Sequence, residues 1–369
     1  MEDEASKLKK KSKNTRELVL SIGSFYRDYT KEGGRRAKSI LDSRLTSAEE
    51  SYRQKIKSCG ALTNVATAML RHLGYQVKKI HGETDKSIDH TWIKVYLPEE
   101  KKWQQFDLTR PDGQVGLDYI IKAEVDDWEE IKQELEEDHR NYSQRIISRY
   151  RKKGAKIHRI LKGPLKEHLE QSHQKLCQFF NLDWKENKPG LILIEDRHSI
   201  DILQGAKTEG WIIGFYIGND IFVLDYEKFG KESSHRHYTP EKYRCLIKHE
   251  LAHLFIRSIA NTNKPVWLNE GVCVYVSGQL KHRKEIPEKL STFLDYYDHS
   301  GSSVYGEAGF FVEVLVNKFG KEKLIELLKL MKEKKPDKKE FNKLFKQVYG
   351  FKLEYGEVNK RWEEYQRTK

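Results

Sequence analysis

The sequence His-Glu-Leu-Ala-His at positions 249–253 constrains this chain more than any other feature, because it fits a helix and a metal site together. Residues four apart lie on one face of a helix, so His249 and His253 can present two imidazoles to one metal ion. Glu250 lies beside that face, where a base for a bound water belongs. A catalytic zinc site needs three protein ligands and one open position, so a third ligand must come from elsewhere. We expect this ligand to be Glu270, because the sixteen residues after His253 allow one helix to end and another to begin.

The residues around the motif favour a helix. Thr239–Glu241 combine a hydroxyl cap, a proline at the first helical position and an acid in the first turn. Apolar residues then recur at helical spacing, and Asn261–Pro265 is typical of a helix end. A chance occurrence of the motif is the alternative, since the chain holds 14 histidines. The cap, the apolar pattern and the downstream Trp-Leu-Asn-Glu-Gly at positions 267–271 argue against chance.

These residues resemble the gluzincins, zinc peptidases in which a glutamate on a following helix completes the His-Glu-x-x-His motif. The predicted strands Gly210–Gly214 and Ile221–Asp225, with a turn at Gly218–Asp220, are similar to the small sheet of that family. The resemblance implies that an edge strand pairs with an extended substrate and that Tyr305 donates a hydrogen bond to the oxyanion. A structural role for Tyr305 is the alternative, because the chain contains 19 tyrosines.

The resemblance implies peptide-bond hydrolysis with a Zn2+ cofactor. Bound zinc lowers the pKa of a water and polarises the scissile carbonyl, and Glu250 accepts the water proton and passes it to the leaving amine. Asn269 could support a metal ligand or cap a helix, and the sequence leaves both roles open. Cys245 and Cys273 lie near the motif, but two histidines and one glutamate complete the site. We therefore interpret both cysteines as small core residues.

A second pattern lies near the N-terminus. Cys59 opens a helical stretch, and the alternating segments 89–96 and 103–109 predict two strands. A thiol at a helix N-terminus feels the positive end of the helix dipole, which favours the reactive thiolate. His90 on one strand can pair with this thiol, and Asp107 on the next can orient the imidazole. The pattern predicts a Cys-His-Asp site directed at an amide carbonyl.

This arrangement resembles the transglutaminase-like superfamily, which includes the peptide N-glycanases and related bacterial cysteine peptidases. The resemblance covers about residues 45–115. The matching residues are Cys59–Gly60, Leu73–Tyr75, His90, Trp92, Val95–Tyr96, Trp103 and Asp107. It implies an amide-directed cysteine site and leaves hydrolysis and acyl transfer both open. The sequence does not identify which residue would serve as the superfamily's upstream oxyanion donor, and an inert buried cysteine is the alternative.

Length and composition fit two folded domains with well solvated surfaces. The 369 residues are 37% hydrophobic and 34% charged. We predict an α+β architecture that begins with a basic disordered tail at residues 1–15 and a transglutaminase-like (papain-like) domain at 16–125. A charged helical connector at 126–170 leads to a gluzincin-like, zincin-fold metallopeptidase domain at 171–369, with a small mixed sheet and a helical lower half.

The net charge of +12 raises the alternative of a protein that associates with nucleic acid. Lysines are interleaved with glutamates on predicted helix faces, and no base-reading module or stacking platform is evident. These features disfavour a nucleic-acid partner. Residues 149–162 are the one stretch whose charge suits phosphate binding.

We found no apolar N-terminal segment, and the four cysteines show no paired spacing, so we expect a reduced cytoplasmic protein without a membrane partner. The expected partner is a peptide or protein substrate, and the oligomeric state is not predicted. Three interpretations compete. The chain could be a hydrolase with both sites active, or a zinc peptidase whose N-terminal domain only binds or regulates. It could also be a basic nucleic-acid-associated protein with relic sites.

Overall fold

The computed structural model divides the chain into two compact units, Met1–Ile146 and Ile147–Lys369. The division falls inside the predicted connector at residues 126–170. The structure describes residues 1–31, 33–37, 39–84, 87–235, 238–283, 285–299, 301, 304–334 and 336–368.

The first unit combines helices with a four-stranded antiparallel sheet. Its helices are α1 (Glu2–Lys11), α2 (Thr15–Tyr29), α3 (Ile40–Leu45), α4 (Ala48–Arg53), α5 (Cys59–His72) and α6 (Lys132–Arg140), with a 3-10 turn at Trp128–Ile131. Helix α7 (Tyr142–Lys152) spans the division between the units. The strands are β1 (Val77–Glu83), β2 (His90–Leu97), β3 (Lys102–Phe106) and β4 (Ile120–Val125), in the order β3-β2-β1-β4. Helix α5 packs against the sheet and places its first residue near the start of β2.

The predicted disordered tail at residues 1–15 is wrong. Residues 2–11 form α1, whose Ala5 is completely buried in the core of the first unit. Met1 and Leu8 pack against the same core at helical spacing. The lysines of this segment lie on the other faces of the helix, so its charge does not prevent packing.

The second unit places a small mixed sheet beside a large set of helices. Its strands are β5 (Ile157–Arg159), β6 (Leu191–Ile194), β7 (Gly214–Ile217) and β8 (Asp220–Leu224), in the order β5-β6-β8-β7, with β6 and β8 parallel. Its helices are α8 (Pro164–Phe180), α9 (Arg197–Gln204), α10 (Phe229–Glu232), α11 (Pro240–Ala260), α12 (Val266–Ser277), α13 (Val304–Phe319), α14 (Lys321–Lys334), α15 (Lys338–Tyr349) and α16 (Tyr355–Thr368). Short 3-10 helices cover Tyr226–Lys228, Gln279–His282 and Phe293–Asp295. The small mixed sheet and the helical lower half confirm the predicted fold class.

One strand of this sheet lies further along the chain than the predicted strand Gly210–Gly214. Residues 210–213 form a turn and an irregular segment, and β7 begins only at Gly214. The Ile212 amide donates to the Glu209 carbonyl at 3.0 Å, and the Arg197 guanidinium donates to the Ile212 carbonyl at 2.7 Å. Because these bonds satisfy both the amide and the carbonyl of Ile212, this residue does not need a strand partner.

Helix α11 carries the His-Glu-x-x-His sequence and is capped as predicted. The Thr239 hydroxyl accepts the Lys242 amide at 3.3 Å, Pro240 occupies the first turn, and the helix ends at Asn261 in a left-handed conformation. Helix α12 starts at Val266 and packs against both α11 and α13. This packing brings residues of the two helices that are distant in sequence to one place.

No helix in the described ranges has both the length and the apolar character needed to cross a membrane.

Candidate functional sites

The second unit gathers the three predicted metal ligands at the contact between α11 and α12. His249 and His253 lie on one face of α11, and Glu270 is the fifth residue of α12. Glu270 Oε2 lies 3.2 Å from His249 Nε2 and 3.5 Å from His253 Nε2. Two imidazole nitrogens and one carboxylate oxygen therefore face a common point.

This donor set fits a zinc ion. Donor atoms about 2.0–2.1 Å from a tetrahedral zinc lie roughly 3.3–3.4 Å from one another, and the two separations at Glu270 bracket that value. Burial opposes ionisation of Glu270, but the neighbouring His253 and His249 hold the pKa of this carboxyl well below its ordinary value. A carboxylate and two imidazoles are ligands that zinc prefers.

Cys273 offers a competing ligand set, because a sulfur, a nitrogen of His249 and a nitrogen of His253 lie within 4.8 Å of one another. However, Cys273 Sγ contacts Nδ1 of His253 at 3.3 Å, on the opposite side of the ring from Nε2. Nδ1 also donates to the Asn269 amide oxygen at 2.8 Å, since that oxygen can only accept. Asn269 and Cys273 thus hold the ring while Nε2 points at Glu270, the arrangement typical of a supported metal ligand. Cys273 is completely buried, and Cys245 is partly exposed.

Glu250 lies in the same cleft, 7% exposed, and burial raises the pKa of its carboxyl. The cleft has a volume of about 800 Å³. Strand β7 approaches Glu250 so closely that a Cβ on Gly214 would lie 2.8 Å from Oε1 and 2.9 Å from Cγ. Since β7 is the last strand of its sheet, the cleft also borders a strand edge.

Tyr305 is the second residue of α13 and lines the same cleft. Its ring centroid lies 6.0 Å from that of His249 and 6.3 Å from that of Trp211. Burial raises the pKa of the Tyr305 phenol, and Glu270 and Glu250 add to that effect, so the hydroxyl keeps its proton. A protonated hydroxyl near the ligands suits the predicted donor role, which stays a prediction.

The first unit brings Cys59, His90 and Asp107 together. Cys59 is the first residue of α5, whose Ser58 cap accepts the Ala61 amide at 3.1 Å. His90 opens β2 and is hydrogen-bonded to Cys59. Its Nε2 lies 2.9 Å from Oδ2 of Asp107, the residue that follows β3. The three side chains therefore stand in the predicted order of thiol, imidazole and carboxylate.

The charges at this site favour a thiolate–imidazolium pair. Burial opposes the thiolate, but the His90 hydrogen bond and the Arg44 charge outweigh it and lower the pKa of Cys59. Burial also opposes the imidazolium, yet the bonds to Asp107 and Cys59 raise the pKa of His90 to about 10. Despite its burial, Asp107 has a lowered pKa because of its bond to His90. A low-pKa thiol next to a cationic imidazole is the arrangement that activates nucleophilic cysteines.

Three contributors to this site were not predicted. The Tyr119 hydroxyl donates to Oδ2 of Asp107, and Thr109 donates to Oδ1 through its hydroxyl at 2.6 Å and its amide at 3.0 Å. Arg44 is 1% exposed and pairs with Asp89 at 2.7 Å. Thr109, two residues after Asp107, is a common local partner for an aspartate. Nothing in the local pattern distinguishes Arg44 or Tyr119, because both reach the site through tertiary packing.

Comparison with known proteins assigns a superfamily to a segment of each unit. Residues 5–108 match the model of the Transglutaminase-like superfamily, and residues 241–368 match that of the Peptidase MA superfamily. The chain thus joins a transglutaminase-like segment to a peptidase MA segment, in the predicted order. No match was found among curated proteins or among solved structures.

Proposed function

We propose that this chain, a transglutaminase-like segment followed by a peptidase MA segment, hydrolyses peptide bonds with a zinc ion held by His249, His253 and Glu270. The observation that carries the proposal is the position of one Glu270 oxygen, 3.2 Å from Nε2 of His249 and 3.5 Å from Nε2 of His253, beside the buried carboxylate of Glu250. The match to the Peptidase MA superfamily supports the same reaction class.

When bound, zinc supplies the Lewis acidity that polarises a carbonyl and lowers the pKa of a water. The Glu250 carboxylate accepts a proton from the attacking water as the new C–O bond forms. It then returns that proton to the amine nitrogen as the C–N bond breaks. The Tyr305 hydroxyl donates to the developing oxyanion, and the free edge of β7 pairs with the extended substrate backbone.

Turnover of a mixed peptide library by the wild type and by Glu250→Gln tests this proposal, with products and bound metal both read by mass spectrometry. We expect about one zinc per chain in both proteins and cleavage by the wild type alone. Glu241→Gln, an exposed acid in the first turn of the same helix, is the matched control and should cleave normally. Cleavage that persists in Glu250→Gln would contradict the proposal. Salt-dependent nucleic-acid binding with no bound zinc would instead support the nucleic-acid interpretation.

The arrangement of Cys59, His90 and Asp107 in the first unit supports a second activity, nucleophilic attack on an amide carbonyl. The Cys59 thiolate forms a thioester, His90 protonates the departing amine, and water or another amine then takes up the acyl group. The thiolate–imidazolium pair supports this proposal. A unit that only binds or regulates is the competing proposal, and the reactivity of Cys59 distinguishes the two.

A further inference from the structure

The cleft of the second unit has an uneven charge distribution. Its lining includes three carboxylates, of which Glu250 and Glu270 belong to the proposed reaction centre. The third, Asp298, pairs with Lys264 at 2.5 Å. Two cations, Lys242 and Arg283, also line the cleft. Within the described part of the chain, no carboxylate lies within 4.0 Å of either cation.

Both cations belong to the same end of the cleft. Lys242 is in the first turn of α11, and Arg283 directly follows the 3-10 helix Gln279–His282, which packs against α11. A Cβ on Gly278, where that 3-10 helix begins, would lie 3.9 Å from the sulfur of Cys245, one turn beyond Lys242. Lys242 and Arg283 therefore both lie at the end of the cleft where α11 begins.

Asp298 belongs to the opposite end of the cleft. The Val266 amide, at the start of α12, donates to the Tyr297 carbonyl at 3.0 Å, which places this segment near the C-terminal end of α11. Asp298 is paired with Lys264, so among the residues that the structure describes this carboxylate does not offset the charges of Lys242 and Arg283.

The guanidinium of Arg283 is close to the reaction centre. Its Nη1 lies 2.9 Å from the position that a Cβ on Gly306 would occupy, so it packs against the first turn of α13 next to Tyr305. Arg283 is an exposed residue, but the walls of the cleft partly desolvate its guanidinium, and this desolvation lowers the pKa of Arg283. A guanidinium in a concave wall without an anionic partner is poised for a bidentate bond to a carboxylate.

We propose that Arg283, supported by Lys242, binds a carboxylate of the substrate and selects peptides that carry one beside the scissile bond. This inference rests on the proposed peptidase function, because it assigns substrate specificity to the same cleft. The carboxylate can come from an Asp or Glu side chain or from a free C-terminus, which offer the same chemistry at different positions.

Two series of peptides distinguish these sources. The first series places Glu, Gln or Lys at each of three positions on both sides of the bond that the wild type cleaves. The second compares peptides with a free C-terminal acid and with a C-terminal amide. We expect kcat/KM to favour the carboxylate form by about tenfold at one position or at the C-terminus, equivalent to about 1.4 kcal/mol.

Substitution of Arg283 tests whether this residue is responsible. Arg283→Gln should remove the preference, and Arg283→Lys should restore part of it, because lysine keeps the charge without the bidentate geometry. Lys281→Gln is the matched control, since Lys281 is exposed, lies two residues away and is absent from the cleft lining. Equal turnover of all carboxylate and neutral forms would overturn the proposal. A preference retained in Arg283→Gln would overturn it as well.

Binding measurements separate this inference from the proposed activity. Fluorescent random hexapeptide pools with one fixed Glu or one fixed Gln, each with a C-terminal acid or amide, are titrated into Glu250→Gln by anisotropy. We expect carboxylate pools to bind about five- to tenfold more tightly than neutral pools, and to lose this advantage in Glu250→Gln/Arg283→Gln. Equal binding of all pools overturns the carboxylate site. Absence of cleavage by the wild type, with the binding preference intact, overturns the peptidase proposal alone.

Discussion

Two ionisable side chains, the buried Glu250 and the partly exposed Cys59, carry the proposed chemistry, and different surroundings prepare each of them. Glu250 has a glycine backbone against its carboxylate and two histidines beside it. Cys59 has a hydrogen-bonded imidazole and a buried arginine, which together offset the cost of burying a thiolate. The reactivity of each group therefore depends on the side chains and the backbone that contact it as much as on the group itself.

The pH dependence of Cys59 alkylation should reveal its lowered pKa. Because the thiolate is the reactive form, a lowered pKa keeps alkylation fast as the pH falls. Burial raises the pKa of Cys245, so its alkylation should increase only at higher pH. We expect Cys59 to react faster than the other three cysteines at pH 7, measured with iodoacetamide and peptide mass spectrometry. Equal rates at all four positions would support a module without cysteine chemistry.

His90→Gln should reverse the shift at Cys59. Without the imidazole, burial raises the pKa of the thiol, and alkylation at pH 7 should slow by about tenfold or more. His72→Gln, on the exposed end of α5, is the control and should leave the rate unchanged. An unchanged rate in His90→Gln would show that His90 does not activate Cys59.

Gly214→Ala should impair peptide cleavage without unfolding the protein. The added Cβ would lie 2.8 Å from Oε1 of Glu250, so the carboxylate must move. A misplacement of about 1 Å can cost about 100-fold in rate, and we expect kcat/KM to fall by roughly that factor. Bound zinc should stay the same, because the three heavy atoms nearest to the added Cβ all belong to Glu250, which is not a proposed ligand. Gly230→Ala is the control, since its Cβ would meet no atom within 4 Å. Near-normal cleavage by Gly214→Ala would contradict this role of β7.

At the scale of elements, the contact between α12 and α13 determines where Glu270 lies. Gly271, the next residue of α12, lies so close to α13 that a Cβ would be 2.7 Å from the Ala308 carbonyl oxygen. The backbone of α12 can approach α13 this closely only because the side chain is missing. Residues that hold this contact therefore also hold the proposed metal ligand.

Gly271→Ala should reduce both stability and zinc affinity. Overpacking a tight contact costs about 1–3 kcal/mol, which urea denaturation should report as a lower midpoint. Displacement of α12 should also move Glu270 and weaken zinc binding, measured by competition with a chelating dye. Gly356→Ala in α16 is the control, because its Cβ would meet nothing within 4 Å and helical alanine is favoured by up to about 1 kcal/mol. Normal zinc affinity in a destabilised Gly271→Ala would separate the packing of α12 from the metal site.

Most element types followed from local sequence, and the exceptions have physical causes. The alternation of β2 and the cap of α11 are local signals, and they predicted these elements well. Helix α1 was missed because its lysines obscured a narrow apolar face. The start of β7 was misplaced because the Ile212 amide donates to the Glu209 carbonyl and the Ile212 carbonyl accepts from Arg197, which satisfies this residue outside the sheet.

At the scale of the whole molecule, the two sites draw all their residues from different units. Cys59, His90 and Asp107 lie in the first unit, and the proposed zinc ligands lie in the second. Treatment with 1,10-phenanthroline should therefore abolish peptide cleavage and leave the alkylation rate of Cys59 unchanged, and added zinc should restore cleavage. A chelator that slows alkylation as much as cleavage would indicate that the two chemistries are coupled.

The sequence by itself determined the features that depend on neighbours along the chain. It indicated the helix that carries His249 and Glu250, the thiol at the start of α5, and the order of the two segments. Helical and strand periodicities, caps and motif spacing are local properties, so one sequence is enough to recognise them.

Only the tertiary structure decided which distant residues meet. It brought Glu270 to 3.2 Å from His249, placed Asn269 and Cys273 behind His253, and left Arg283 without an anionic partner among the described residues. It also brought Arg44 and Tyr119 to the cysteine site. Contacts of this kind depend on how helices and strands pack, and no local pattern in the sequence encodes that packing.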